Sequence, residues 1–420
     1  MIKKISISED KKRLLGNFLS LAGLQGFTYI LPLITLPYLV RVLGVEKYGL
    51  VMFSQSFVAF FVILVDYGFN LSATREIAVS RNDKKKVSEI YGSVMLIKLA
   101  LLFVSFFVFA VLVISVDKFS GYKQLYFFAF LAVIGQAFFP VWYFQGMERM
   151  KYITIINILS RSIFTVAIFV FVGDEDDYLL VPLLNGVGFC IGSLFAIWVI
   201  NKKFSQKIVF PAFCEIKRCF KESSGFFLSR VSVSIYTAAN VFVLGFFTSN
   251  TMVGYYSVAE KLYQALLGLY APIVQTLYPY LSSSKNMGMY KKIFIAVVFF
   301  NILLISFLCY YHGVVIELLF KSPGQEINNV FLIFLTSALL HVPAILLGYP
   351  LLGAFGFSRY ANITVMQSSA VHLLGLVLLM AFGYISIYSV SVMVVITEAT
   401  VFFTRLYYSK KVKLLLNWSA

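Results

Sequence analysis

The sequence predicts an all-α polytopic membrane protein of about twelve transmembrane helices, and three observations carry that prediction. Hydrophobic residues fill 60% of the 420 positions and charged residues only 13%, against roughly 25% charged in a soluble domain. Apolar runs recur from end to end at the length a bilayer requires, since about 1.5 Å of rise per residue makes roughly 20 residues span a hydrocarbon core of about 30 Å. Lys and Arg are also concentrated in alternate connecting segments, the charge bias that orients polytopic proteins.

The first run, residues 14–40, follows Lys11-Lys12-Arg13 as a signal peptide would, but it is too long and lacks a small-residue cleavage site, so it reads as a retained span. Further spans fall at 48–70, 91–116, 124–145, 153–172 and 178–200, completing an amino-terminal lobe over residues 1–200. The longest hydrophilic stretch, 201–225, is a linker. Within it Phe213, Ile216 and Phe220 recur at helical spacing after Pro211, with Lys217, Arg218 and Lys221 between them, the pattern of a short helix lying on a membrane surface. The second lobe, 226–420, holds spans at 226–248, 253–282, 293–316, 329–352, 362–382 and 387–408. Tight turns at 41–47 and 249–252 make their flanking spans antiparallel. Before them stand Val40-Arg41-Val42-Leu43-Gly44 and Val241-Phe242-Val243-Leu244-Gly245, a short repeat at matching places in the two lobes.

Placing the amino terminus in the cytoplasm puts 26 of the 35 Lys and Arg residues on cytoplasmic segments and five (Arg41, Lys47, Lys118, Lys123, Lys321) on the opposite side. Both termini are therefore expected inside, and the acidic run Asp174, Glu175, Asp176, Asp177 outside. The net charge of +16 then reads as a topology signal and an attraction to anionic lipid, not as a nucleic-acid footprint. Trp142, Trp198 and Trp418 fall near cytoplasmic span ends, where aromatic anchors sit. The four cysteines have no metal spacing and the three histidines are scattered, so plain thiols, no metal and no cofactor are expected.

Seven ionisable residues lie inside spans: Lys98, Arg161, Arg230, Lys261, Asp66, Glu260 and Glu398. Each costs about 2.5–3.5 kcal/mol at a helix centre, so such groups face water or a partner. Thr154, Asn157, Arg161 and Thr165 stack on one face of the fifth span. Ser229, Ser232, Tyr236 and Asn240 form a stripe on the seventh, beside Arg230, Ser234 and Thr237. On the eighth, Lys261 shares a side with Ser257 and Gly268, and Glu260 lies with Tyr256 and Gln264. Bland readings stand beside these. Lys98 and Arg230 are close enough to the interface to snorkel, Asp66 could pair with Arg75 or cap a helix, and Glu398 could pair with Arg405 on its own face. Pro32, Pro37, Pro272, Pro279, Pro343 and Pro350 interrupt spans and mark bends or hinges, the first three being the hinge candidates.

Leu36-Pro37-Tyr38-Leu39-Val40-Arg41-Val42-Leu43-Gly44 leading into Tyr48-Gly49, and Asp66-Tyr67-Gly68-Phe69 followed by Ala73-Thr74-Arg75-Glu76-Ile77-Ala78, resemble the multidrug/oligosaccharidyl-lipid/polysaccharide exporter superfamily, whose fold is that of the MATE transporters. Within it the chain is similar to Wzx-type O-antigen flippases. It lacks the two extra spans of lipid II flippases, which disfavours peptidoglycan precursors. The resemblance implies a flippase of the bacterial inner membrane that moves an undecaprenyl-pyrophosphate-linked oligosaccharide from the cytoplasmic to the periplasmic leaflet by alternating access. On that reading Arg161, Arg230 and Lys261 meet the phosphates with Arg41 as a rim contact, Lys98 is a further substrate-binding candidate, and Tyr236, Asn240 and Gln264 meet the sugars. Asp66, Glu260 and Glu398 are the acids available for coupling to H+ or Na+, and other glycan-assembly membrane proteins are expected partners. The competing readings are a multidrug or metabolite antiporter of the same fold and a membrane glycan polymerase or glycosyltransferase. The second of these needs a large loop that the chain lacks, and no catalytic motif or phosphate-binding loop is found.

Overall fold

The computed structural model describes the backbone of residues 3–204, 209–321 and 324–414, and within these the side chains from residue 31 onward apart from 226 and 228–237. Among the described residues the chain is helical and contains no strand. Nine of the described helical segments are long and apolar enough to cross a membrane, with mean hydropathies from 1.7 to 2.8. Phe103, Tyr310 and Leu318 are each more than 70% exposed, the exposure expected of side chains that face acyl chains.

Helix α1 (Lys3–Asp66) carries the first two apolar runs and bends at Gly44, whose φ of 71° suits a residue without Cβ. The turn expected over 41–47 thus shrinks to one residue. Tyr67 and Gly68, both at positive φ, then redirect the chain into α2 (Phe69–Ser80). Next comes α3 (Lys84–Ser115), whose first amides are capped by Asp83. A short α4 (Asp117–Ser120) precedes α5 (Lys123–Phe138), and Pro140 separates α5 from α6 (Val141–Gly146). After α7 (Met150–Phe171), the acidic run becomes its own cap: Asp177 accepts from the amides of Gly173 and Asp174, and Asp174 from that of Asp176, around the 3-10 turn Glu175–Leu179. This turn leads into α8 (Leu180–Lys203).

The amphipathic segment of the linker and the seventh span form one helix, α9 (Phe213–Phe247). A separate surface helix was the expectation. Ser223-Ser224-Gly225 contains no proline to break the hydrogen-bond ladder, so the helix runs through. The eighth span, read as one, is two helices, α10 (Asn250–Gly268) and α11 (Ala271–Ser284), with Pro272 in the first turn of α11. They are followed by α12 (Met287–Phe320), α13 (Gln325–Leu346), α14 (Ser358–Ala381) and α15 (Ile387–Lys411). A π-helical turn, Leu347–Gly353, ends α13. Pro350 has no N–H to give Leu346, and the Leu346 carbonyl accepts instead from the Tyr290 hydroxyl at 3.3 Å.

The chain packs as two compact units, Tyr38–Gly254 and Tyr255–Ala420 together with the residues up to Pro37. The hinge candidate Pro37 thus stands at a unit boundary, while hydropathy alone draws its boundaries at 200 and 226. In the first unit Phe53, Phe57, Phe109, Phe119, Tyr126 and Phe130 form one aromatic core, with Phe57 stacked 4.5 Å from Phe119. A second core joins α2, α3 and α6 around Tyr91, Trp142 and Tyr143. Trp142 is fully buried there, not an interfacial anchor as expected, because the break at Pro140 turns α6 inward against α2. Trp198 is 53% exposed, and Trp418 lies outside the described residues. In the second unit Tyr270 donates to Asn301 at 2.9 Å, and Asn301 to the carbonyl of Ala338, joining α12 to its neighbours.

Helices α5 and α8 approach closely because glycine faces the partner on both sides. A Cβ on Gly186 would collide with that of Leu131, and one on Gly135 with that of Phe189. Gly186→Val is therefore expected to destabilise the protein by about 1–3 kcal/mol through overpacking, read as a lowered Tm in detergent.

The start of α9 is fastened to α2 and α3. Arg218 pairs with Glu76, Glu215 and Glu222 at 3.1, 3.0 and 2.9 Å, and Lys86 with Glu215 at 3.0 Å. The hydroxyls of Ser72 and Ser223 meet at 2.8 Å, and Tyr67 is stacked between Phe220 and Phe227. Hydrogen bonds from Lys86 and Arg218 hold the Glu215 carboxyl below its ordinary value of 4.5. A depressed native pKa stabilises above the unfolded pKa, and that contribution is lost as pH falls through the lower native value. Glu215→Gln is accordingly expected to cost about 0.5–1 kcal/mol at pH 7 and to match the parent protein once the pH is below the native pKa of Glu215. Thermal unfolding followed across that range gives the comparison, and a gap persisting at low pH would show that charge is not the cause.

Candidate functional site

Within the Tyr38–Gly254 unit, α1, α2, α3, α5, α7 and α8 enclose a cavity of about 390 Å³. Its polar lining comes from Asp66, Asn70, Lys98, Gln136, Asn157 and Arg161. Asp66 ends α1, and the positive-φ pair after it carries the first turn of α2 over its carboxylate, so that the Asn70 amide donates to both oxygens at 2.9 Å. Lys98 comes from the middle of α3 and places Nζ 3.4 Å from Asp66 Oδ1.

Lys98 is 1% exposed. It does not snorkel, and the partner of Asp66 is this ammonium, since Arg75 lies on the exposed side of α2. A lysine in so dry a place is charged only if its partner and further hydrogen bonds offset the desolvation. Asn157 and Arg161, one turn apart on α7, line the same cavity. Among the described residues the lining holds two basic side chains and one acidic one, together with three amide side chains. Such an arrangement can receive an anion, and the amides offer donors and acceptors to hydroxyl groups.

The other residues singled out from the sequence lie elsewhere. On α10, Lys261 donates to Gln264 at 3.5 Å, and Glu260 beside them is half-buried. Arg41 is exposed, three residues before the bend of α1, and Asn240 is buried near the end of α9. The side chains of Arg230 and Tyr236 lie outside the described residues. Pro32 is exposed on α1 and Pro272 is buried. Glu398 has His341 as its partner, Nδ1 to Oε2 at 2.9 Å, from α13. Arg405 instead donates to the Ala344 carbonyl at 2.8 Å and to Thr364 Oγ1 at 3.3 Å, with its guanidinium against Gly348. It braces the bent end of α13.

Sequence reasoning missed Asn70, Gln136 and His341. Asn70 stands four residues after Asp66, a spacing that signals contact only if the chain stays helical, and here it turns. Nothing in the neighbourhood of Gln136 or His341 announced their roles.

Long apolar helices with a polar cavity among them define a polytopic membrane protein. The architecture has solved counterparts: an inward-facing multidrug resistance MATE family transporter of the MOP superfamily aligns over 93% of this chain and 96% of its own, with a TM-score of 0.68 and 14% identity. The lipid II flippase MurJ in an inward closed conformation aligns over 93% and 87%, with a TM-score of 0.68 and 17% identity. The sequence pattern of the polysaccharide biosynthesis protein family matches residues 14–285, and the chain belongs to that family. A candidate O-antigen transporter of Escherichia coli (strain K12) is 30% identical over 287 residues, 68% of this chain and 69% of that protein. The protein is thus a transporter and not an enzyme.

The buried pair yields an asymmetric expectation. Asp66→Asn strands Lys98 in a dry site and is expected to cost about 3–5 kcal/mol. Lys98→Met leaves Asp66 with Asn70 and an opening to the cavity, and is expected to cost less. Joining the two changes should recover most of the loss from Asp66→Asn, as measured by a double-mutant cycle on thermal stability in detergent.

Proposed function

We propose that the protein flips an undecaprenyl-pyrophosphate-linked oligosaccharide across the bacterial inner membrane, from the cytoplasmic to the periplasmic leaflet. The coarser statement, a flippase for a lipid-linked polysaccharide precursor, rests on the family and on the fold shared with a lipid flippase. The observation that supports the finer one is the chamber lined by Arg161 and Asn157 together with the Asp66–Lys98 pair. A pyrophosphate drawn into a low-dielectric region needs fixed positive partners, and sugars need amides and hydroxyls in place of water. In this reading Arg161 is the principal phosphate contact, with Arg230 and Lys261 as the further cations and Gln264 and Asn240 as sugar contacts.

The positive-inside bias supports cytoplasmic termini. A multidrug antiporter of the same fold would favour acidic side chains for cationic drugs, whereas the described lining here holds two basic side chains and one acidic one. Transport coupled to a proton or sodium gradient is part of the proposal, with Asp66, Glu260 and Glu398 as the acids concerned.

Complementation of a flippase-null strain is the test. A hydrogen bond to a charged group contributes about 1.5–3 kcal/mol, so Arg161→Ala is expected to cut glycan export by about 10- to 150-fold while membrane insertion stays normal. Full surface glycan in that variant would remove the cationic chamber from the mechanism. In proteoliposomes, flipping that continues after both gradients are collapsed would exclude ion coupling.

A further inference from the structure

A second concave surface in the Tyr38–Gly254 unit, also bordered by α3, shares no lining residue with the chamber. Leu96 and Ala100 flank Lys98 at two residues on either side, which at about 100° per residue carries them to the far side of the helix. With Val104 of α3 and Phe213, Lys217 and Phe220 of α9, they line a groove of about 530 Å³ that is apolar except for Lys217. The groove is built into the fold. The linker crosses α3 where Gly92 has no Cβ to obstruct the Val209 carbonyl, and the ion pairs of Arg218 and Lys86 fix the angle at which α9 leaves α3.

The charges at the start of α9 are divided between its faces. Arg218 is engaged by three carboxylates. Lys217, which lines the groove, and the exposed Lys221 one turn further along α9 have no ion pair among the described residues. Phe210 and Phe213 beside them are about 80% exposed, the composition of a helix start seated at a headgroup boundary.

We propose that this groove is a binding site for an anionic phospholipid, with one acyl chain lying along Leu96, Ala100 and Val104 and the phosphate between Lys217 and Lys221. Two ammonium groups match a single phosphate, and the apolar wall matches a chain. The lining, which has no residue in common with that of the chamber, assigns the site to a lipid of the surrounding bilayer and not to the transported cargo. Such a lipid fastens the linker end of α9 to the membrane.

Native mass spectrometry of the full-length protein in detergent, titrated with phosphatidylglycerol or phosphatidylcholine, tests this. One phosphatidylglycerol is expected to be retained in preference to phosphatidylcholine. The double change Lys217→Ala and Lys221→Ala should weaken that retention by about thirtyfold, while Lys410→Ala with Lys411→Ala leaves it unchanged. Ala100→Trp, which fills the groove from an exposed position, should abolish retention with both lysines intact and Tm unchanged. Equal retention of the two lipids, or unchanged retention in the lysine variant, would overturn the proposal. Displacement of phosphatidylglycerol by equimolar undecaprenyl phosphate would overturn it too, because the groove would then belong to the carrier lipid.

Discussion

Inside a bilayer a charge or a bare carbonyl has no water to turn to, and the structure is organised around that demand. The Asp66–Lys98 pair is its clearest expression. An ammonium at the middle of α3 is tolerated because a carboxylate reaches it, and that carboxylate is in turn held by Asn70. The same rule governs the bent end of α13, where Arg405 and Tyr290 supply donors to carbonyls near Gly348 and Pro350. Irregular backbone is sustained at these places because side chains from other helices complete it.

The pair also shapes the chamber. With Lys98 bound to Asp66, the cavity lining holds one charge-balanced pair together with Arg161 and Asn157. The close crossing of α5 and α8 at Gly135 and Gly186 keeps these walls in register.

Much of the architecture was readable before any coordinates. The apolar runs, the tight turns and the stripe containing Asn157 and Arg161 follow from counting residues on a helix, because hydropathy and the 3.6-residue period are local properties. The misreadings have a common origin. Trp142 resembled an interfacial anchor by its position along the chain, yet Pro140 turns α6 into the core. Phe213, Ile216 and Phe220 looked like an independent surface helix, but no breaker separates them from the span that follows. Arg405 lies on the same face of α15 as Glu398, and each nevertheless takes its partner from another helix.

Composition and pattern by themselves determined that the chain is a helical membrane protein and which buried charges had to be accounted for, since each is fixed by the cost of moving a residue from water to hydrocarbon. The choice of partners belonged to the tertiary structure alone: Lys98 to Asp66, Glu398 to His341, Arg405 to Ala344. Helical periodicity states which way a side chain points along its own axis. What it meets there depends on the rotation and crossing of the neighbouring helices, and these arise from packing among residues distant in the chain.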